Sequence, residues 1–165
     1  MLAALTPDGR LLFLTRALRM GAYGSLSVIL ALYLRAVGLS EGETGLVLTT
    51  ALGGSAFLTL IVVSVADRVG RRIFLMGSAL AMALSGVLLA ASGDLWVLLL
   101  AALLGTLSPS GGEVGPFLSL EQAMLPEILT PQLRTVGFAW YNLVGSAASA
   151  IGALAVGVPE MIANK

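Results

Sequence analysis

The 165-residue chain contains no cysteine and no histidine, and its one lysine is the last residue, Lys165. The first two absences exclude Ser-His-Asp and Cys-His nucleophile systems, thiolate or imidazole metal sites, haem attachment and disulfides. The third excludes a Walker A phosphate loop, so the chain is not its own ATP motor. Charge is scarce as well: nine basic and nine acidic residues make 11% of the chain, against 58% hydrophobic. A soluble domain carries roughly 25% charged residues, and disorder needs low hydrophobicity with high net charge. With a net charge of zero and no basic patch interleaved with aromatics, there is no nucleic-acid footprint. A span needs about 20 apolar residues, so the expected class is an all-α polytopic membrane protein surrounded by lipid.

Charges, prolines and glycines divide the chain into five expected spans, near 11–35, 44–66, 73–91, 95–115 and 135–158, forming one transmembrane domain. The first span is expected to act as its own insertion signal. Ser40 stands three residues before Glu43 in the S-x-x-E pattern of a helix amino-terminal capping box. Lys and Arg favour the cytoplasmic side of short loops. Placing the amino terminus inside puts Arg10, Arg16, Arg19, Arg68, Arg71, Arg72 and Arg134 on that side, against Arg35 and Lys165 on the other. The chain is thus expected in the cell (plasma or inner) membrane, multi-pass, with a cytoplasmic amino terminus.

Small residues recur four apart, as Gly77, Ala81 and Ser85 in the third span and Gly145, Ser149 and Ala153 in the fifth, with Gly53 and Gly54 in the second. Helices in lipid associate through such residues, so these stripes are expected to pack a compact bundle.

Ionisable groups inside a span cost about 2.5–3.5 kcal/mol each at the helix centre on insertion scales. Glu113 lies eighteen residues beyond the start of the fourth span, about 27 Å along a continuous helix. That is near the cytoplasmic boundary, unless Pro109, Gly111 and Gly112 break the helix; Glu113 is a candidate coupling or solute-binding carboxylate or else an interfacial one. Glu121 is expected further out, in the cytoplasm. Arg16, Arg19, Tyr23 and Ser27 form one helical stripe at i, i+3, i+7 and i+11. Arg16 and Arg19 either snorkel to the inner interface or face a cavity or partner helices, and Arg19 and Tyr23 are cavity candidates. Asn142, with Ser146 and Ser149 on the same stripe, is a candidate for bonding solute or another helix. No close pair of intramembrane carboxylates is visible and the serines have no evident base, so an enzyme is not expected; nor is a metal or a cofactor.

Between the second and third spans stands Asp67-Arg68-Val69-Gly70-Arg71-Arg72. By itself it is a charged turn that fixes topology, with Gly70 allowing a left-handed reversal. It resembles the signature G-x-x-x-D-R-x-G-R-[RK] of the major facilitator superfamily of secondary transporters. Asp67, Arg68, Gly70, Arg71 and Arg72 match, and Val63 replaces the leading glycine. Gly38-Leu39-Ser40 followed by Gly45, and the stretch from Pro126 to Arg134, are similar as well. The resemblance implies two six-helix halves around a mid-membrane cavity, carrying a small solute with a coupling proton or ion. It implies that Asp67 and Arg71 are gating residues supported by Arg68 and Arg72, none of them touching solute. Five spans correspond to most of the first half. The chain is therefore expected to be a fragment or truncated half that needs the missing second half or another chain; the alternatives are a half-transporter assembling with a partner, or a non-transporting membrane-embedded interaction or remnant protein.

Overall fold

The computed structural model describes residues 7–104, 108–109, 111–112 and 116–163. The elements are α1 (Pro7–Ala36), α2 (Glu41–Val69), α3 (Arg71–Ala91), α4 (Leu95–Leu103), α5 (Pro116–Ile128), a 3-10 turn (Pro131–Leu133) and α6 (Arg134–Ala163). No strand occurs among the described residues. The stretches Pro7–Ala36, Glu41–Ala66, Arg71–Ala91 and Pro131–Gly157 are long and apolar enough to cross a membrane.

The fourth expected span departs from a continuous helix over 95–115. Helix α4 ends at Leu103 after nine residues, and the chain turns through Ser108 and Gly111 before α5 begins at Pro116. The reason is local. Pro109 lacks an N–H, Gly111 sits at φ +68°, a conformation that suits glycine, and Pro116 favours the first position of a new helix. The nine residues of α4 and the thirteen of α5 would extend about 13 and 20 Å at 1.5 Å per residue. Together they match the roughly 30 Å hydrocarbon core.

Packing shows that α4 and α5 act as one interrupted crossing. Leu30 and Leu34, late in α1, pack with Val47 and Ala51, early in α2, and with Leu98 and Ala102 of α4. At the opposite end, Leu12 and Phe13 of α1 pack with Leu125 and Leu129 and with Tyr141 of α6. There Val62 and Ala66, late in α2, also meet Leu120 of α5. The direction of α1 and α6 agrees: Arg16 reaches Tyr141, and nine residues further along Ser25 donates to the Gly152 carbonyl at 2.8 Å. The two helices run parallel, so the chain reverses an even number of times between them, with α2, α3 and the α4–α5 pair as the intervening passes. Helix α6 continues through Pro159 to Ala163, beyond the expected stop near 158.

The parallel pair is held by close backbone approach. A Cβ on Gly24 would overlap the Ser149 carbonyl, and one on Gly152 would overlap the Gly21 carbonyl. On α2, a Cβ on Gly54 would lie 2.7 Å from the Leu103 carbonyl oxygen. Small residues give the van der Waals contact that replaces the hydrophobic drive missing in lipid. The third-span stripe behaves differently. Gly77 faces open space, whereas Ser85 is buried and donates to the Ala101 carbonyl of α4 at 2.9 Å. At the start of α2 the capping box forms as expected: Glu43 N–H donates to Ser40 Oγ at 3.3 Å, and Ser40 N–H donates to Glu43 Oε2 at 2.8 Å.

Overpacking a tight contact costs about 1–3 kcal/mol or more. Gly24→Val and Gly152→Val are accordingly expected to lower the unfolding free energy in detergent micelles by that amount. Gly77→Ala, on open surface, is expected to leave it within about 0.5 kcal/mol.

Candidate functional site

The arginines of the α1 stripe turn inward. Arg16 and Arg19 are buried, along with Tyr23 on the same face. Arg16 Nε donates to the Tyr141 carbonyl at 3.1 Å, and its guanidinium lies 3.9 Å from the centre of the Tyr141 ring. Space for it comes from Gly145, one turn beyond Tyr141, where a Cβ would stand 2.6 Å from Arg16 Nε. Phe13 completes the ring's surroundings in an edge-on contact with a centroid distance of 5.5 Å. Snorkelling does not occur: both guanidinium groups are enclosed by protein, and cation–π contacts of this kind strengthen when desolvated.

Arg19 meets the residue that reasoning from sequence placed in the cytoplasm. Its Nη2 lies 2.5 Å from Glu121 Oε2, and Glu121 is 2% exposed. The Tyr141 hydroxyl donates to the same oxygen. Both donors reach Oε2. The Arg19 guanidinium also lies 4.3 Å from the centre of the Phe117 ring, one turn before Glu121. Three elements thus converge on one carboxylate: α1 through Arg19, α6 through Tyr141 and α5 through Glu121. A buried carboxylate needs such partners, because desolvation penalises each ion by several kcal/mol.

Glu121 is buried because α5 is amphipathic and folds back against the bundle. Phe117, Leu120, Glu121, Leu125 and Leu129 are all buried, at spacings of one helix face. That stripe is visible in the sequence once α5 is taken as a helix of its own. Tyr141 has no signal in one dimension that would pair it with Glu121.

The signature turn is tighter than a loop. Asp67 and Arg68 belong to α2, and Gly70 alone joins α2 to α3 at φ +110°. Its N–H donates to the Ala66 carbonyl at 2.9 Å and its carbonyl accepts from Ile73 N–H at 3.1 Å. Arg71 Nη1 pairs with Glu127 Oε1 of α5 at 2.8 Å, while Arg68 and Arg72 are exposed. Val63, in place of the signature's leading glycine, is 63% exposed. The side chain of Asp67 and the whole of Glu113 lie outside the described residues. Asn142 is exposed on the outer side of α6, away from the Tyr141 cluster.

Midway along the bundle, where α4 gives way to α5, hydroxyls meet bare backbone. Ser149 Oγ of α6 donates to the Gly111 carbonyl at 2.9 Å. A Cβ on Gly111 would stand 3.0 Å from Ser27 Oγ of α1. Non-helical backbone at membrane depth is tolerated where protein groups satisfy it. Among the described residues there is no His/Cys/Asp/Glu cluster of metal-binding type.

Apolar crossing helices around a buried ionic cluster define a multi-pass α-helical integral membrane protein. Residues 12–158 match the Major Facilitator Superfamily, and the chain belongs to that superfamily, a family of transporters. It is similar to the uncharacterized membrane protein YJR124C of Saccharomyces cerevisiae, with 36% identity over 151 residues, 92% of this chain and 34% of that protein. The chain spans about a third of the length of the curated relative it matches. No solved structure matches it.

Removing one partner of a buried ion pair costs about 3–5 kcal/mol, and exposed pairs contribute about 0–1 kcal/mol. Glu121→Ala is expected to fall in the first range and Glu127→Gln in the second, measured as unfolding free energies in mixed micelles.

Proposed function

We propose that this chain supplies most of the amino-terminal half of a secondary transporter for a small solute, with its amino terminus in the cytoplasm. The observation that carries this reading is the signature turn. In a chain of this superfamily, Asp67 to Arg72 spans the junction of the second and third membrane helices, and Arg71 engages Glu127 of α5. A relative about three times as long supports a second helical half in the whole transporter. Exposed Val63, Phe57 and Leu60 of α2 suit burial against such a half or lipid. Orientation rests on arginine placement, because Arg10, Arg68, Arg72 and Arg134 gather at the end where α1 begins and α2 ends.

In this reading the ion pairs at that end hold one state of an alternating-access cycle. Asp67 and Arg71 gate, Arg68 and Arg72 support them, and solute is bound deeper, near the break between α4 and α5, with a proton or ion driving the cycle. Buried Tyr23 and, in the intact transporter, Glu113 and Asn142 are the solute-side candidates.

In the intact transporter, Asp67→Asn is expected to slow solute movement roughly tenfold, equivalent to ~1.4 kcal/mol; an unchanged rate removes the gating role. Coding sequence following Lys165 is expected to continue into six or seven further spans. A stop codon beside a separate companion gene would favour assembly of two chains, and a stop with no companion would favour a non-transporting protein. As the chain has no cysteine, single substitutions report topology. Arg10→Cys is expected to react with an impermeant maleimide only from the cytoplasmic side, and Asp94→Cys only from outside.

A further inference from the structure

We propose that the break between α4 and α5 binds a sodium ion, held by uncharged oxygens of α1, α6 and the broken crossing. The ion's role in coupling rests on the transport reading, whereas its binding uses only groups of this chain.

Three elements meet at one point. A Cβ on Gly24 would overlap the Ser149 carbonyl, and Ser27 stands three residues further along α1. Ser149 Oγ reaches the Gly111 carbonyl at 2.9 Å. Where a Cβ of Gly111 would stand, the nearest atoms are Ser27 Oγ at 3.0 Å, Ser27 Cβ at 3.2 Å and Ser149 Oγ at 3.7 Å. The missing side chain thus leaves a space faced by hydroxyl oxygens of two helices. A fourth element carries a polar group at this depth. Ser55 of α2 follows Gly54, whose own Cβ would lie 2.7 Å from the Leu103 carbonyl oxygen at the end of α4. Ser55 is fully buried, and its hydroxyl has no hydrogen-bond partner among the described residues.

What the groups at the break have left to offer is lone pairs. Ser27 gives its proton to the Gly24 carbonyl at 2.8 Å, Ser149 to the Gly111 carbonyl and Ser108 to the Gly112 carbonyl. Gly111 N–H turns back to the Ser108 carbonyl at 3.4 Å, and Pro109 has no N–H. The last carbonyls of α4 add the negative end of a helix dipole. Unwound carbonyls beside the carboxyl-terminal end of a half-helix are an arrangement that coordinates sodium at membrane depth. Calcium and magnesium bind through carboxylates, and these hydroxyls bond to none, so the site suits a monovalent ion. Oxygens as close as those of Ser149 and Gly111 favour sodium over the larger potassium. When the ion enters, Ser149 turns its proton to the Gly145 carbonyl four residues back, leaving its oxygen for the ion. Other hydroxyls of the bundle already bond in that way: Thr50 donates to Leu46, Thr59 to Ser55 and Ser64 to Leu60, at 2.8, 2.8 and 2.7 Å.

The probe is sodium itself. The chain in lipid nanodiscs, kept in choline chloride, is titrated with radioactive sodium, and the bound label is competed with unlabelled sodium, potassium or choline. Saturable binding is expected, displaced by sodium, far less by potassium and not by choline. Ser27→Ala and Ser149→Ala each remove one oxygen and are expected to weaken binding about tenfold, the loss of one bond to a charged group. Ser64→Ala removes an exposed hydroxyl of α2 and is expected to leave binding unchanged. Gly111→Ala puts a methyl in the space and is expected to abolish binding. Gly111 sits at φ +68°, so the serine variants decide should Gly111→Ala fail to fold by circular dichroism. Absence of saturable binding, equal displacement by potassium, unchanged affinity in either Ser27→Ala or Ser149→Ala, or binding by a folded Gly111→Ala overturns the proposal. No transport is measured, so these outcomes remove the ion site and leave the transport reading to the Asp67→Asn test.

Discussion

A carboxylate cannot stand alone away from water, and in this bundle everything at one end is arranged around that constraint. Glu121 is enclosed, so Arg19 must come within 2.5 Å of it, and Tyr141 must aim its hydroxyl at the same oxygen. Each demand reaches further. Tyr141 is fixed by Phe13 at its ring edge and by Arg16 over its face. Arg16 in turn needs Gly145 to have no side chain. The glycine contacts that bring α1 and α6 together therefore do more than satisfy packing. They set the spacing at which one arginine lies on a tyrosine and the next reaches a carboxylate on a third helix. Lipid would not supply a hydrophobic drive to hold that spacing, whereas backbone contact through glycine does.

The break in the fourth crossing makes the same arrangement possible. A straight helix from Leu95 would keep one face toward the bundle along its length, at 3.6 residues per turn. Interrupting it lets α4 present Leu98 and Ala102 to α1 and α2. It also lets α5 restart with its own register, presenting Leu120 to α2 and Glu121 to α1 and α6. The exposed backbone of the turn is met by Ser149 on Gly111 and by Ser108 on Gly112. Irregular backbone, hydroxyls and buried charge occur together here, in a family whose members move solutes through the membrane.

Much of the architecture is legible in one dimension because membrane insertion is governed by additive properties. Apolar stretches and the Gly70 reversal depend on local composition, and the helices follow them. The capping box at Ser40 and Glu43 is equally local. What could not be read was pairing. Nothing near Glu121 in the sequence points to Arg19 and Tyr141, its partners from α1 and α6. Arg16 and Arg19 lie near an interface in sequence, so snorkelling competes with burial until the position of Tyr141 is known. Gly77 and Gly145 look alike as members of small-residue stripes, yet one faces open space and the other makes room for a guanidinium.

If Arg19 and Glu121 act as one unit that ties α5 to α1, their contributions to stability must be coupled. A double-mutant cycle built from Arg19→Leu, Glu121→Leu and the double variant measures this directly as unfolding free energies. Residues joined in one buried ionic network interact by about 0.5–3 kcal/mol or more beyond additivity. The double variant is expected to recover most of the stability lost in Glu121→Leu, with a coupling above about 1 kcal/mol. Additivity within about 0.3–0.5 kcal/mol would contradict the coupling of the two residues.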